Sequence, residues 1–310
     1  MLSRLALDLA LGVLGLQALS FSVLAASLLL GRPLGELTTG RLVRTTCGLS
    51  LLLSLVAAAA WLASGRQPAT LSLGEWHLIE GYEFHAVLLV DALSLTFLLL
   101  ATLLCGVVAL FSEKYLHREP GFHRFFLLLT LFGFGDCLTV LAGSIETLYA
   151  SWETLGLTSA LLIGFFHERP GPVQNGLYTF AVYRCSDLCL ALAMVSVYHL
   201  AHSGDFSSFL GSSTLQGTGA TTVGLLLLLA AAGGALQEAL AAEPLPFALR
   251  EEGHMHGRRL DAVRQRHRGM REQPLGLGLH RSRPRQEPPP RHRRERHRAL
   301  QLRIVPPAGA

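Results

Sequence analysis

The first 242 residues alternate between long apolar runs and short polar connections, and each run is apolar nearly all the way round a helix. A bilayer core takes about 20 mainly apolar helical residues to cross. Seven segments meet that length, at residues 5–31, 43–64, 86–111, 125–144, 147–166, 176–202 and 222–242. The pattern predicts an all-α fold: a polytopic membrane bundle of about seven transmembrane helices, followed by a different C-terminal segment. Arg4 precedes the first run as in a signal peptide. The run is too long for one and six more follow, so an uncleaved first span is expected.

The connections refine this picture. Residues 65–85 form the longest one, and within it residues 70–77 (TLSLGEWH) roughly alternate, as a short surface hairpin would. Residues 167–173 (HERPGPV) read as a tight Pro/Gly turn. Arg32, Arg41, Arg44, Lys114, Arg118, Arg124 and Arg169 fall in or beside the connections after the first, third and fifth spans, against Arg4 and Arg66 on the other side. Positive charge stays in the cytoplasm, which predicts a cell inner (plasma) membrane protein with its N-terminus outside and its C-terminal segment cytoplasmic.

Charge divides the chain. Of 26 Lys and Arg residues, 16 are arginines from Arg250 onward. Residues 243–310, with segments such as RQRHRGMR and RSRPRQEPPPRHRRERHR, hold too little apolar surface to bury a core and are expected to be disordered. A basic tail held at anionic lipid headgroups is one reading. Nucleic-acid binding fits less well, because the tail lacks aromatic residues for base stacking. The leading reading is a coding frame that shifts near residue 240, since Arg, Pro, His, Gly and Ala dominate a GC-rich gene read out of frame.

Ionisable groups inside the spans are where chemistry is expected, because each costs about 2.5–3.5 kcal/mol at a helix centre on insertion scales. Glu153 lies in the fifth predicted span between Trp152 and Leu155, with no basic residue one turn away. Desolvation favours the neutral form of such a carboxyl, which suits proton handling; a structural helix–helix hydrogen bond is the alternative. Asp187 is in the sixth predicted span with Arg184 one turn earlier, on one helix face. That pair reads equally as structural and as a charge relay. Asp136, in the fourth predicted span, has no partner visible in sequence. Glu146 lies two turns before Glu153, at the expected outer edge, where an acidic group is ordinary. His199 and His202 read as interfacial anchors. The five cysteines sit in apolar stretches without metal-ligand spacing and read as small core residues. No phosphate loop, dinucleotide fingerprint, nucleophile elbow or zinc motif is present. No cofactor, metal site or redox centre is expected in this chain.

Several stretches resemble the antiporter-like subunits of respiratory complex I. They are DALS at 91–94, SEKY at 112–115, RFF at 124–126, WETLGLTSALLIG at 152–164 and RCSD at 184–187. Subunit L of NADH-quinone oxidoreductase, the large Mrp-type antiporter subunit and the Dab-type inorganic-carbon transporter membrane subunit share this pattern; residues 167–175 (HERPGPVQN) look more like the last. The resemblance implies that Glu153 is the protonatable carboxylate, that Arg184 and Asp187 are the charge pair beside it, and that other membrane subunits are partners. It implies a proton-translocating subunit of an NADH-quinone oxidoreductase type assembly. The alternatives are a subunit of a proton-driven bicarbonate or CO2 uptake complex, and an inactive structural fragment. The family carries Gly-Lys-Ser-Ala-Gln near the seventh or eighth span, where this chain reads Gly233-Gly234-Ala235-Leu236-Gln237. The family also has about twice as many spans as are read here.

Overall fold

Hydrocarbon offers no partner for backbone N–H and C=O groups, so apolar runs close their own hydrogen bonds as helices. The computed structural model describes residues 2–79, 82–210 and 217–242, with side chains described outside 75–84 and 236–242. The basic segment read from sequence, with its frame and its disorder, lies outside the described residues. The chain order is α1 (Leu2–Leu29), α2 (Glu36–Ala63), β1 (Ala69–Ile79), β2 (Tyr82–Val90), α3 (Ala92–Tyr115), α4 (Phe122–Val140), α5 (Ile145–Ile163), α6 (Pro170–Ala201), α7 (Phe206–Phe209) and α8 (Gly217–Ala242).

Six of these helices are long and apolar enough to cross a membrane: α1, α2, α3, α4, α6 and, over Gly217–Ala235, α8. The protein is therefore a multi-pass membrane protein with an all-α bundle. The expected fifth span, α5, has 19 residues, as α4 does, but is not among the six. Its two glutamates, with Thr, Ser, Tyr and Trp, lower its apolarity.

Packing proceeds from helix to helix. α1 lies against α2 and α4, α2 against α3, α3 against α4, α4 against α5, α5 against α6, and α6 against α8. The buried face of α2 is made largely of small residues, Gly40, Thr46, Cys47, Ser50, Ser54, Ala57 and Ala60, while Leu49, Leu52, Leu55 and Val56 point outward. α3 repeats this, with Ala101, Thr102, Cys105 and Ala109 inside and Leu100, Leu103, Leu104 and Val107 outside. Lipid tails are as apolar as leucine, so close backbone approach through small residues holds such helices together.

Two expected boundaries move. Residues 86–90 are the end of strand β2 rather than the start of the third span, and β1 and β2 pair antiparallel from Ala69↔Val90 to Ile79↔Tyr82. The hairpin is thus longer than the stretch 70–77 suggested, because its second strand, apolar and β-branched, reads in sequence like the opening of a helix. Asp91 then starts α3 with a capping box: its carboxylate accepts from the Ser94 N–H at 2.8 Å, and the Ser94 hydroxyl oxygen accepts from the Asp91 N–H at 2.7 Å. The predicted turn 167–173 ends early as well. Pro170 opens α6, where a missing N–H costs nothing.

The turn between α4 and α5 ties the hairpin end together. Leu89 N–H donates to the Leu141 carbonyl and Gly143 N–H to the Val87 carbonyl, each at 2.8 Å. The Ser144 hydroxyl donates to the His85 carbonyl at 2.8 Å, and Phe206 N–H to the Gly143 carbonyl at 3.0 Å. At the opposite end, Glu36 meets His117 at 2.9 Å, Arg44 meets Glu113 at 3.2 Å, and Arg124 donates to the Phe165 carbonyl at 2.8 Å. The connections after α1, α3 and α5, where the basic residues concentrate, therefore share one end of the bundle.

Gly143 has no room for a side chain: a Cβ would lie 2.9 Å from Val87 Cγ1 and 3.1 Å from the Leu88 carbonyl carbon. Gly143→Ala is expected to lower stability by about 1–3 kcal/mol in detergent unfolding, as overpacking does. Gly48→Ala is the control. A Cβ at Gly48 meets nothing within 4 Å, so stability should hold or rise by about 0.5–1 kcal/mol.

Candidate functional site

The site forms where α5 and α6 approach most closely. Gly156 permits the approach, since a Cβ there would overlap the Tyr183 ring. Tyr183 donates its hydroxyl proton to the Trp152 carbonyl and stacks on the Trp152 ring, with centroids 5.9 Å apart and planes 18° from parallel. This contact sets the register of the two helices. It places Glu153, the residue after Trp152, opposite Arg184, the residue after Tyr183.

Arg184 bridges two carboxylates. Its Nη2 lies 2.6 Å from Glu153 Oε2, and its Nε lies 3.0 Å from Asp187 Oδ2. The second pair is the one-turn spacing legible in sequence. The first comes from the neighbouring helix and supplies the cation that Glu153 lacks on its own. Burial is graded: the Asp187 side chain is 5% exposed, Glu153 26% and Arg184 39%. The guanidinium also lies over the Phe180 ring, 4.7 Å from its centroid. Tyr149, one turn before Glu153, interacts with its carboxylate, and the Trp152 indole lies within electrostatic reach of Asp187.

α8 closes the site from a third side. The Ser186 hydroxyl donates to the Ala230 carbonyl at 2.9 Å. A Cβ on Gly233 would lie 2.7 Å from Ser186 Cβ, and one on Gly234 would lie 3.1 Å from Trp152 Cζ2. Of the Gly233-Gly234 pair, read in sequence as the segment where a lysine is missing, Gly234 therefore packs directly against the aromatic beside Glu153, and Gly233 against Ser186.

With both carboxylates ionised the three groups carry one net negative charge. A single proton on either carboxyl neutralises the cluster, and Arg184 can rebalance between the two oxygens as that proton arrives or leaves. Asp136 stands apart from this arrangement. It is partly buried on α4.

Other expected residues fall differently. His202 is the left-handed C-cap of α6, its N–H donating to the Tyr198 carbonyl at 3.0 Å. Cys47, Cys105 and Cys137 are core residues as expected. Cys185 is exposed and Cys189 half-buried, because their α6 face, which also carries Leu188 and Leu192, turns away from α5 and α8. Among the described residues no group of three or more His, Cys, Asp or Glu is arranged to hold a metal. Sequence reading passed over Tyr183, Tyr149 and Gly156. A glycine inside an apolar helix was the available signal of close approach.

Comparison with known proteins matches two stretches of the chain. Residues 76–126 match the family described as NADH-Ubiquinone oxidoreductase (complex I), chain 5 N-terminus. Residues 142–240, which contain the site, match the family described as NADH:quinone oxidoreductase/Mrp antiporter, TM. NADH-quinone oxidoreductase subunit L of Escherichia coli (strain K12) is 31% identical over 152 residues, 49% of this chain and 25% of that protein. NADH-ubiquinone oxidoreductase chain 5 of Cryptococcus neoformans is 29% identical over 220 residues, 70% of this chain and 33% of that protein. In fold, the chain is similar to the Mrp complex from Dietzia sp. DQ12-45-1b, with a TM-score of 0.58 at 24% identity over 72% of this chain and 23% of that one. It is also similar to the archaeal membrane-bound sulfane sulfur reductase, with a TM-score of 0.64 at 14% identity over 76% of this chain and 48% of that one. The chain spans between a quarter and a third of the length of these curated relatives. The two family matches follow one another along the chain, and they and the named relatives agree in what the chain is similar to: the antiporter-like membrane subunit family of complex I and Mrp assemblies.

Proposed function

We propose that the chain is a proton-translocating subunit of a multi-subunit membrane assembly of the complex I or Mrp type, with Glu153 as the group that takes up and releases the proton. The observation that carries this reading is the Glu153–Arg184–Asp187 cluster. It is a carboxylate pair sharing one cation within a helix bundle, poised one charge short of neutrality. Asp187, the more buried carboxylate, holds Arg184 in place, and Glu153, the more exposed one, is the exchanging partner. Asp136 has a secondary place on the path through α4.

The setting follows from the same reading. The protein resides in the inner membrane, and the basic connections after α1, α3 and α5 face the cytoplasm under the positive-inside rule. That places the N-terminus and the β1–β2 hairpin on the outer side. Other membrane subunits pack beside it.

Glu153→Gln keeps the shape of the side chain and removes its proton. In liposomes containing the assembled complex, this variant should show proton uptake at the background rate; uptake at the unmodified rate removes Glu153 from the mechanism.

Arg184→Gln leaves two carboxylates without their shared cation. Stability in detergent should fall by roughly 2–4 kcal/mol, and Arg184→Lys should recover part of the loss. An unchanged unfolding midpoint in Arg184→Gln contradicts the bridging geometry.

A further inference from the structure

The connections after α3 and α5 meet at the basic end of the bundle and enclose a pocket of about 170 Å³, which none of the Glu153–Arg184–Asp187 cluster lines. Residues 119–121 and Arg124 line it from one side, and residues 165–169 from the other. Its floor is aromatic. The Arg124 guanidinium lies over the Phe165 ring, 5.1 Å from the centroid, and the Arg169 guanidinium over the Phe166 ring, 5.0 Å away. The two rings pack edge to face with centroids 5.0 Å apart, so one aromatic pair carries both cations. Gly121 leaves room for this, since a Cβ there would lie 2.7 Å from Phe165 Cζ.

Arg124 Nη2 donates to the Phe165 carbonyl at 2.8 Å and to His167 Nδ1 at 3.0 Å. A guanidinium only donates, so Nδ1 is the acceptor and the His167 proton sits on Nε2 as a further donor. These bonds use Nη2 alone and leave the Arg124 Nε–H and Nη1–H groups for a ligand. α4 and α6 also both begin here, after Gly121 and Arg169, and neither start has a side-chain cap. Acids are present too. Glu119 and Glu168 line the same pocket, yet among the described residues neither is in an ion pair with Arg124 or Arg169.

Two cations and two carboxylates thus share one pocket without satisfying one another, which suits a ligand that carries both signs. The place narrows the choice. α4 and α6 are long and apolar enough to span the membrane, so their ends lie where hydrocarbon gives way to lipid head groups. Arginines with their stems on apolar rings and their charged heads free are suited to that depth. We propose that the pocket binds the phosphoethanolamine head of a membrane lipid. The phosphate lies against Arg124, Arg169 and the His167 Nε2 proton, and the ammonium against Glu119 and Glu168. The two guanidinium groups supply the charge-assisted bonds that a phosphate takes. A choline head offers the carboxylates no N–H, and a glycerol head brings no cation.

The test is native mass spectrometry of the full chain in detergent, titrated with one lipid at a time. Phosphatidylethanolamine should bind about tenfold more tightly than phosphatidylcholine or phosphatidylglycerol with the same acyl chains. Arg169→Gln should weaken that binding about tenfold, and Arg169→Lys should recover part of it. Glu119→Gln combined with Glu168→Gln should bring phosphatidylethanolamine down to the level of phosphatidylcholine and leave phosphatidylcholine unchanged. All three side chains are exposed, so these variants are expected to fold. Equal binding of the three lipids overturns the proposal. So does an unchanged affinity in Arg169→Gln, or an unchanged preference in the double glutamine variant. Inorganic phosphate is the second arm. If millimolar phosphate displaces the bound phosphatidylethanolamine, the site takes a free anion and the lipid assignment fails; retention of the lipid supports it.

Discussion

An arginine shared by two carboxylates on neighbouring helices is the interaction around which the α5–α6 pair is arranged. Each ion alone would cost about 2.5–3.5 kcal/mol at the centre of a membrane helix. Three of them are tolerable because Arg184 meets both Glu153 and Asp187 within ion-pair distance. The surrounding contacts are in service of that meeting. Gly156 lets Tyr183 lie across α5, Tyr183 fixes the Trp152 backbone, and the register that results puts Glu153 within reach of Arg184. Gly233 and Gly234 of α8 then pack flush against Ser186 and Trp152. A larger side chain at either position has to displace this wall, so this part of α8 is coupled sterically to the same cluster.

The rest of the bundle obeys a membrane logic that makes such a site possible. Small residues face inward and leucines outward on α2 and α3, so helices approach closely without needing water to drive them together. Ion pairs and hydrogen bonds between segments gather at the two ends of these helices. At one end are the ion pairs and caps of the basic connections, and at the other the hydrogen bonds that join β2, the α4–α5 turn and the connection after α6. α5 departs from this rule. It is the long helix that falls short on apolarity, and it carries Glu146, Tyr149 and Glu153 along its length. That departure makes it the helix that brings ionisable groups to Arg184.

The helices were legible in the sequence because a 20-residue apolar run has few alternatives in lipid. Residues 86–90 misled because an apolar, β-branched run reads the same at the end of a strand and at the start of a helix. Arg184 and Asp187 were legible as a pair because one turn of helix puts them together. The contact between Arg184 and Glu153 was not, since nothing in a single helix's spacing says which face of the next helix it meets; the family resemblance supplied it. Cys185 was misread for a similar reason. Apolar neighbours place a residue in a span but do not say whether it faces protein or lipid. Glu146 looked like an ordinary end-of-helix acid, and its burial depends on Gly204, far away in the chain.

The central claim is that Glu153 and Arg184 act as one unit. A double-mutant cycle between Glu153→Gln and Arg184→Gln, read as unfolding free energy in detergent or lipid, measures that coupling directly. The geometry predicts a coupling energy of about 1–3 kcal/mol, with the second substitution costing much less once the first is made. Additive losses within about 0.3–0.5 kcal/mol would mean that the two residues do not interact, and would contradict the account.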